Sequence, residues 1–283
     1  KTFYNKVYAY VSKNNKLTPL KKSFILPEAM AYAACVTILN GVVYAGGETS
    51  DGFSNKVWLM QWDAVTQNTV FKSLPSLPSS RSNAAAIVVA NRVYIAGGES
   101  ESAASSQLLA LDLKNASAGW KQLASIPQPV SHTVLAASIG KAGSKIYLIG
   151  GRKKNNNGIS NLYSNVFVYD VAKNSWEEKA PLPYALSAGT GTLLKASQII
   201  IFGGDKGTIF NKVEKLMAAI AAENNEIKKQ ELIQQKNTLQ SQHPGFSKEV
   251  LLYNILTDTW KVIGEIPFET PVTTTAVNWG NQI

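Results

Sequence analysis

Hydrophobic residues along this chain gather in short runs, and four of those runs end in the same way. Val42-Val43-Tyr44-Ala45, Val93-Tyr94-Ile95-Ala96, Ile146-Tyr147-Leu148-Ile149 and Ile199-Ile200-Ile201-Phe202 each lead into a pair of glycines. The pairs are Gly46-Gly47, Gly97-Gly98, Gly150-Gly151 and Gly203-Gly204, spaced 51, 53 and 53 residues apart. The runs are rich in β-branched and aromatic residues, which predicts strands. A fixed period near fifty predicts a repeat architecture rather than one globular core.

The flanks of each pair repeat too. Upstream lie small-apolar runs: Ala31 to Val36, Ala84 to Val89, Val134 to Ala137 and Gly189 to Leu194. Alanine and glycine there suit the crowded inner strand of a radial sheet. Downstream comes a strand with an aromatic, as in Asn55 to Trp58, Asn165 to Tyr169 and Glu249 to Tyr253. A fourth strand carries an aromatic and then a hydrophobic-Pro pair: Trp120 to Ile126-Pro127, Trp176 to Leu182-Pro183, Trp260 to Ile266-Pro267. Phe71 takes the tryptophan's place before Leu74-Pro75. Four strands per repeat, a double glycine after the second and a Trp on the fourth resemble the kelch motif. The expectation is an all-β, kelch-type β-propeller over residues 1–283.

The ends differ from the middle. Tyr4 to Val11 matches a third strand, and Phe24 to Pro27 closes that repeat. Val272 to Val277 is expected to begin another first strand, with Trp279 four residues from Ile283. The repeat is thus expected to be incomplete at both ends.

One repeat is longer than the rest. From the second glycine to the fourth-strand aromatic, three repeats take 22 to 25 residues, whereas Gly204 to Trp260 takes 56. The extra residues are not loop-like. Val213, Leu216, Met217 and Ile220 fall at helical spacing among Lys, Glu, Gln and Ala, and a second helix is expected from Glu226 to Leu239. A helical insertion over 210–246, between strands two and three, is the expectation. Its short apolar stripe favours docking on the propeller, with a partner helix as the alternative.

Composition narrows the function classes. Hydrophobic residues are 45% of the chain, ample for a core. There is no run of eighteen apolar residues, so no membrane span is expected. The net charge is +9, but arginine appears only at Arg81, Arg92 and Arg152 and the lysines are scattered. A nucleic-acid groove would concentrate arginine and aromatics, so no nucleic-acid partner is expected. The excess positive charge favours an anionic small ligand. Cys35 stands alone and is read as a small buried residue rather than a nucleophile. No His/Cys cluster has metal-ligand spacing, so no metal is predicted, and nothing calls for a cofactor.

Geometry locates a candidate site. In a four-stranded antiparallel blade, residues just before strand one and just after the glycine pair share one face. That face should collect Glu48, Glu99, Arg152 and Asp205, together with Glu28, Arg81 and His132. A cation beside carboxylates at the mouth of a central channel can hold an anionic ligand and transfer a proton. Glu48 and Glu99 are the weak catalytic candidates, with turn capping as the alternative. Arg81, Arg152 and His132 are the ligand-binding candidates. Their alternatives are an ion pair with a neighbouring repeat, a surface position beside Lys153 and Lys154, and a hydrogen-bonded structural histidine.

One stretch is more specific than the kelch pattern. Gly203-Gly204-Asp205, Ile209-Phe210-Asn211, the helices, His243-Pro244-Gly245-Phe246-Ser247-Lys248 and Leu251 to Trp260 resemble the N-acetylneuraminate epimerases, or sialic acid mutarotases, in their circularly permuted branch. The resemblance implies six blades, export to the periplasm, N-acetylneuraminic acid as the anionic sugar ligand, and no cofactor. It implies interconversion of the α and β anomers by acid/base ring opening. The family's proton-accepting glutamate lies in a Gly-Glu pair with an arginine a few residues later. Neither Glu48 nor Glu99 has that arginine, and the matching segment would follow Ile283. The catalytic pair is therefore not assigned to any residue, and the chain is expected to be catalytically incomplete. The alternative is a non-catalytic kelch propeller that binds a protein or a glycan. Oligomeric state is not legible in the sequence.

Overall fold

The computed structural model describes residues 2–14, 16–101, 103–140 and 143–277. Among them stand four antiparallel four-stranded sheets, each with its strands side by side in chain order. The first holds Ala34–Ile38, Gly41–Ala45, Val57–Asp63 and Asn68–Leu74. The second holds Ala85–Val89, Arg92–Ala96, Leu108–Asp112 and a two-residue fourth strand, Lys121–Gln122. The third holds Val134–Gly140, Gly143–Ile149, Val166–Asp170 and Ser175–Lys179. The fourth holds Thr190–Lys195, Gln198–Phe202, Glu249–Asn254 and Thr259–Glu265. The third strand of the second sheet escapes the aromatic rule: Leu108–Asp112 has no aromatic residue at all.

The first strands of successive sheets stand next to one another and line a central channel. The core lies in three wedges between neighbouring sheets, where Val43 meets Val93, Ala96 meets Leu148, and Ile149 meets Ile201. Small residues on the inner strands answer to crowding. A Cβ on Gly191 would stand 2.5 Å from the Ile200 carbonyl oxygen and 3.2 Å from Val134 of the sheet beside it.

A repeated hydrogen-bonded link joins the sheets at their outer edge. The indole N–H of Trp176 donates to the Ala124 carbonyl at 2.9 Å, and Trp260 donates to Ala180 at 2.9 Å. The amide of Ala124 in turn donates to Asn174 Oδ1, and that of Ala180 to Asp258 Oδ1, both at 2.9 Å. Tyr169 and Tyr253 donate their hydroxyls to the same two oxygens. Trp120 reaches the Pro75 carbonyl at 2.7 Å. The repeat's tryptophan, in or next to the fourth strand, thus ties the second, third and fourth sheets each to the one before.

The N-terminal residues form a separate ribbon, Tyr4–Lys13 paired antiparallel with Lys16–Met30. Its Phe24 is buried and meets Trp62 edge-on at 5.5 Å. At the other end, no strand is formed over the expected Val272 to Val277, although Thr273 to Val277 line the channel. Trp279 and Ile283 lie outside the described residues.

Between the second and third strands of the fourth sheet run two helices, α1 (Thr208–Ala222) and α2 (Glu226–Ser241), packed against each other. Asn225 caps α2 by accepting the Lys228 amide at 3.1 Å. Of the apolar stripe, Val213, Leu216 and Ile220 are half-buried. Met217 is 56% exposed, whereas the buried residue of α1 is Glu214.

Candidate functional site

The four glycine pairs build one face from backbone alone. After each pair the next residue bridges to the approach of strand one: Glu48 to Ala31, Glu99 to Ser82, Arg152 to Ser131, Asp205 to Ser187. Glycine is required at these turns. Gly151 has φ +104°, and a Cβ there would lie 2.7 Å from the Ser131 carbonyl oxygen.

The residue after each of the four bridge partners also has a left-handed backbone, and so does Thr273. Tyr32, Asn83, His132, Ala188 and Thr273 have φ of 59°, 54°, 54°, 56° and 55°. Each amide in turn donates to the carbonyl of the one before: Asn83 to Tyr32, His132 to Asn83, Ala188 to His132, Thr273 to Ala188, at 2.8–3.0 Å. These five residues form an arc of main-chain hydrogen bonds from sheet to sheet at the channel mouth. All five line the cavity, whose volume is about 730 Å³, a size suited to a small-molecule ligand.

Where the arc passes from the second sheet to the third, polar side chains form a continuous network. Glu99 accepts from Asn83 Nδ2 at 3.0 Å and from the Ser131 hydroxyl at 2.9 Å. Arg152 Nε donates to His132 Nδ1 at 3.2 Å, and Arg152 Nη2 lies 3.6 Å from Glu99 Oε1. On its other side Arg152 Nη1 lies 3.9 Å from Glu214, and the ring of Phe210 covers the guanidinium at 4.7 Å. Glu214 accepts the Ser160 amide at 2.7 Å and the Ser160 hydroxyl at 2.9 Å.

The protonation state of His132 follows from these partners. Arg152, which only donates, faces both ring nitrogens, Nε toward Nδ1 at 3.2 Å and Nη2 toward Nε2 at 3.5 Å. Protonating both nitrogens would turn ring N–H groups toward the guanidinium. Burial, then the charge of Arg152, pull His132 down to about 3. At neutral pH the face therefore presents a neutral imidazole, one guanidinium and two carboxylates. Asn83 and His132 carry this group to the cavity wall.

The structure thus brings Glu99, His132 and Arg152 together. It engages Arg81 elsewhere. Only 2% exposed, Arg81 donates to the Gly97 carbonyl at 2.9 Å, to Ser79 Oγ at 2.7 Å and to Gln107 Oε1. Its partners in the next sheet are carbonyl, amide and hydroxyl oxygens rather than a carboxylate. Glu48 lies one sheet away and takes a long contact, 3.5 Å, from the Ser82 hydroxyl. Asp205 accepts the Gly207 amide at 2.7 Å, where α1 begins, and Glu28 pairs with Lys56 at 2.9 Å. Burial pushes the Cys35 thiol up to about 11, which keeps it protonated and a poor nucleophile. Among the described residues no group of three or more His, Cys, Asp or Glu is placed to hold a metal ion. No described helix is long and apolar enough to cross a membrane.

Glu214, Ser160 and Phe210 are site residues that sequence reasoning did not single out. Glu214 and Phe210 are four apart on α1, so they share a face, but no motif marks that face as polar.

A family model described as N-acetylneuraminate epimerase matches residues 74–283. The chain belongs to that family. The matched span contains Glu99, His132, Arg152 and the helical insertion. Curated N-acetylneuraminate epimerases are similar at low identity. The protein of Salmonella paratyphi B is 28% identical over 206 residues, 72% of this chain and 51% of its own length. That of Haemophilus influenzae is 26% identical over 197 residues, 70% of this chain and 50% of its own. The chain spans about half the length of the curated epimerases it matches. The solved structure of YjhT aligns over 98% of this chain and 82% of its own, with a TM-score of 0.67 at 16% identity. That likeness shows the fold, a kelch-type β-propeller, which the N-acetylneuraminate epimerase family model accompanies over most of the chain.

Proposed function

We propose that this chain binds N-acetylneuraminic acid at the channel mouth, as part of a sialic acid mutarotase. The observation that carries this reading is the family match over 74–283, which takes in the half-buried group of Glu99, His132 and Arg152. Arg152 supplies the positive charge for the sugar carboxylate. Its Nη atoms lie 3.6 and 3.9 Å from Glu99 and Glu214, beyond ordinary hydrogen-bond length, so an incoming carboxylate can compete for them. Asn83 and the neutral His132 supply hydrogen bonds for hydroxyl and amide groups. In the reaction a base takes the anomeric hydroxyl proton, the ring C–O bond opens to the keto acid, and the ring oxygen gains a proton. Reclosure on the other face gives the second anomer. Glu99 is the carboxylate of this group nearest the cavity-lining Asn83 and His132. Export to the periplasm belongs to the same reading.

The Gly-Glu turns of this chain lack a following arginine, so a second reading has support: a propeller that binds the sugar without turning it over. Thermal shift with N-acetylneuraminate, with N-acetylmannosamine as the control lacking a carboxylate, decides binding. Anomer exchange followed by NMR on the same sample decides catalysis. We expect a shift for the acid alone and exchange near the spontaneous rate. Fast exchange would establish the enzyme reading for these residues, and the absence of any shift at millimolar sugar would overturn both.

A further inference from the structure

Helix α1 keeps Val213, Leu216 and Ile220 half-buried, yet its one buried residue is not apolar. Its buried residue is a glutamate, and Met217 of its apolar stripe faces solvent. Burying a carboxylate is costly unless it is hydrogen-bonded and paired. Glu214 meets both conditions through Ser160 and Arg152.

We propose that α1 of the helical insertion is a positioning element for Arg152, with Glu214 and Phe210 fixing its guanidinium against His132. Three contacts support this. Glu214 lies 3.9 Å from Arg152 Nη1. Phe210, one helical turn earlier, covers the flat face of the guanidinium at 4.7 Å. Ser160, which both Glu214 oxygens engage, stands on the short strand Ser160–Leu162 that pairs with Arg152–Lys154. The helix, that ribbon and the arginine therefore close a loop of contacts. Helix α1 supplies the stacking ring and the neighbour of Nη1, while Glu99 at Nη2 and His132 at Nε come from the channel side. A guanidinium confined this way keeps one orientation, so a planar carboxylate that displaces its long 3.6 and 3.9 Å contacts meets it already oriented. Glu214 and Phe210 are positioning residues here, since they act through Arg152. The ligand part of this inference rests on the proposed sugar-binding reading.

The test uses Glu214→Gln and Phe210→Leu in the full chain, with Glu231→Gln on exposed α2 as the control. The first readout needs no ligand: hydrogen exchange of the Arg152 Nε–H by NMR, assigned with Arg152→Lys. Exchange about tenfold faster in both variants, and unchanged in the control, is expected for a released guanidinium. The second readout is N-acetylneuraminate affinity, expected to fall about tenfold in both variants with a native far-UV spectrum. If wild type does not bind the sugar, the functional reading fails while the exchange result still judges the positioning role. Unchanged Nε–H exchange in a folded Phe210→Leu protein overturns the inference, even if Glu214→Gln does not fold.

Discussion

The turn after Gly46-Gly47 and the turn after Gly150-Gly151 share a backbone and differ in chemistry. Both bridge to the approach of strand one, and both continue into a short ribbon, Glu48–Thr49 with Gly52–Phe53 in one and Arg152–Lys154 with Ser160–Leu162 in the other. What differs is the company. Arg152 stands between Glu99 from the sheet before it and α1 from the sheet after it. Glu48 has the hydroxyl of Ser82 at 3.5 Å and lies far from the insertion in chain order. Equal places in a repeat therefore carry different side-chain networks according to what neighbouring sheets supply.

Substitutions can break this comparison at the level of the backbone first. Gly151→Ala puts a Cβ 2.5 Å from Val130 and 2.7 Å from the Ser131 carbonyl, at a φ of +104°. Gly52, in the ribbon of the other turn, has φ +106° with nothing within 4 Å of its Cβ position. We expect Gly151→Ala to cost about 4 kcal/mol and Gly52→Ala about 1 kcal/mol in urea unfolding. Equal costs would mean that strain at φ alone, and not the neighbouring sheet, sets the need for glycine.

Removing the charges tests the company each turn keeps. Arg152→Ala leaves Glu99 and Glu214 facing each other's charge with no cation between them. It should destabilise by about 3 kcal/mol and abolish the thermal shift with N-acetylneuraminate. Glu48→Gln should change stability by no more than about 0.5 kcal/mol and leave the shift in place. A larger effect at Glu48 than at Arg152 would reverse the assignment of the site.

The pH dependence gives a smaller effect than the loss of Gly151 or Arg152. His132 is held neutral in the fold down to about 3, against 6.5 for an ordinary histidine. The unfolded chain therefore binds the extra proton between those values. The stability contributed by the neutral ring is complete above pH 6.5 and is lost as pH falls toward 3. Between pH 7 and pH 5 the loss should be about 2 kcal/mol. Asparagine tolerates a left-handed backbone, so His132→Asn should fold and show a shallower stability profile over that window. Identical profiles for the two proteins would mean that His132 titrates normally and that Arg152 does not bear on it.

Much of the fold was legible, because it depends on local signals. Short β-branched runs, paired glycines and fourth-strand tryptophans are each written within a few residues. The arc at the channel mouth was not legible. Tyr32, Ala188 and Thr273 are not residues that announce a positive φ. Their conformation is fixed by hydrogen bonds to residues roughly fifty or more positions away. The site was legible in part for the same reason. Glu99, His132 and Arg152 could be placed on one face by counting from the glycines, and they do meet. Arg81 counts to that face as well, but its guanidinium turns into the next sheet toward Gly97 and Gln107, a direction that position alone does not give. Glu214 was invisible because helical periodicity weighs apolar positions and gives no sign of a buried charge among them.

The arc also bears on how such a protein can change. Its members hold one another through main-chain atoms, so the fold asks little of the side chains they carry. Tyrosine, asparagine, histidine, alanine and threonine already occupy the five places. A rim of this kind works as a set of exchangeable fittings on a fixed frame. Ligand preference can then drift one residue at a time while the frame below it stays as it was.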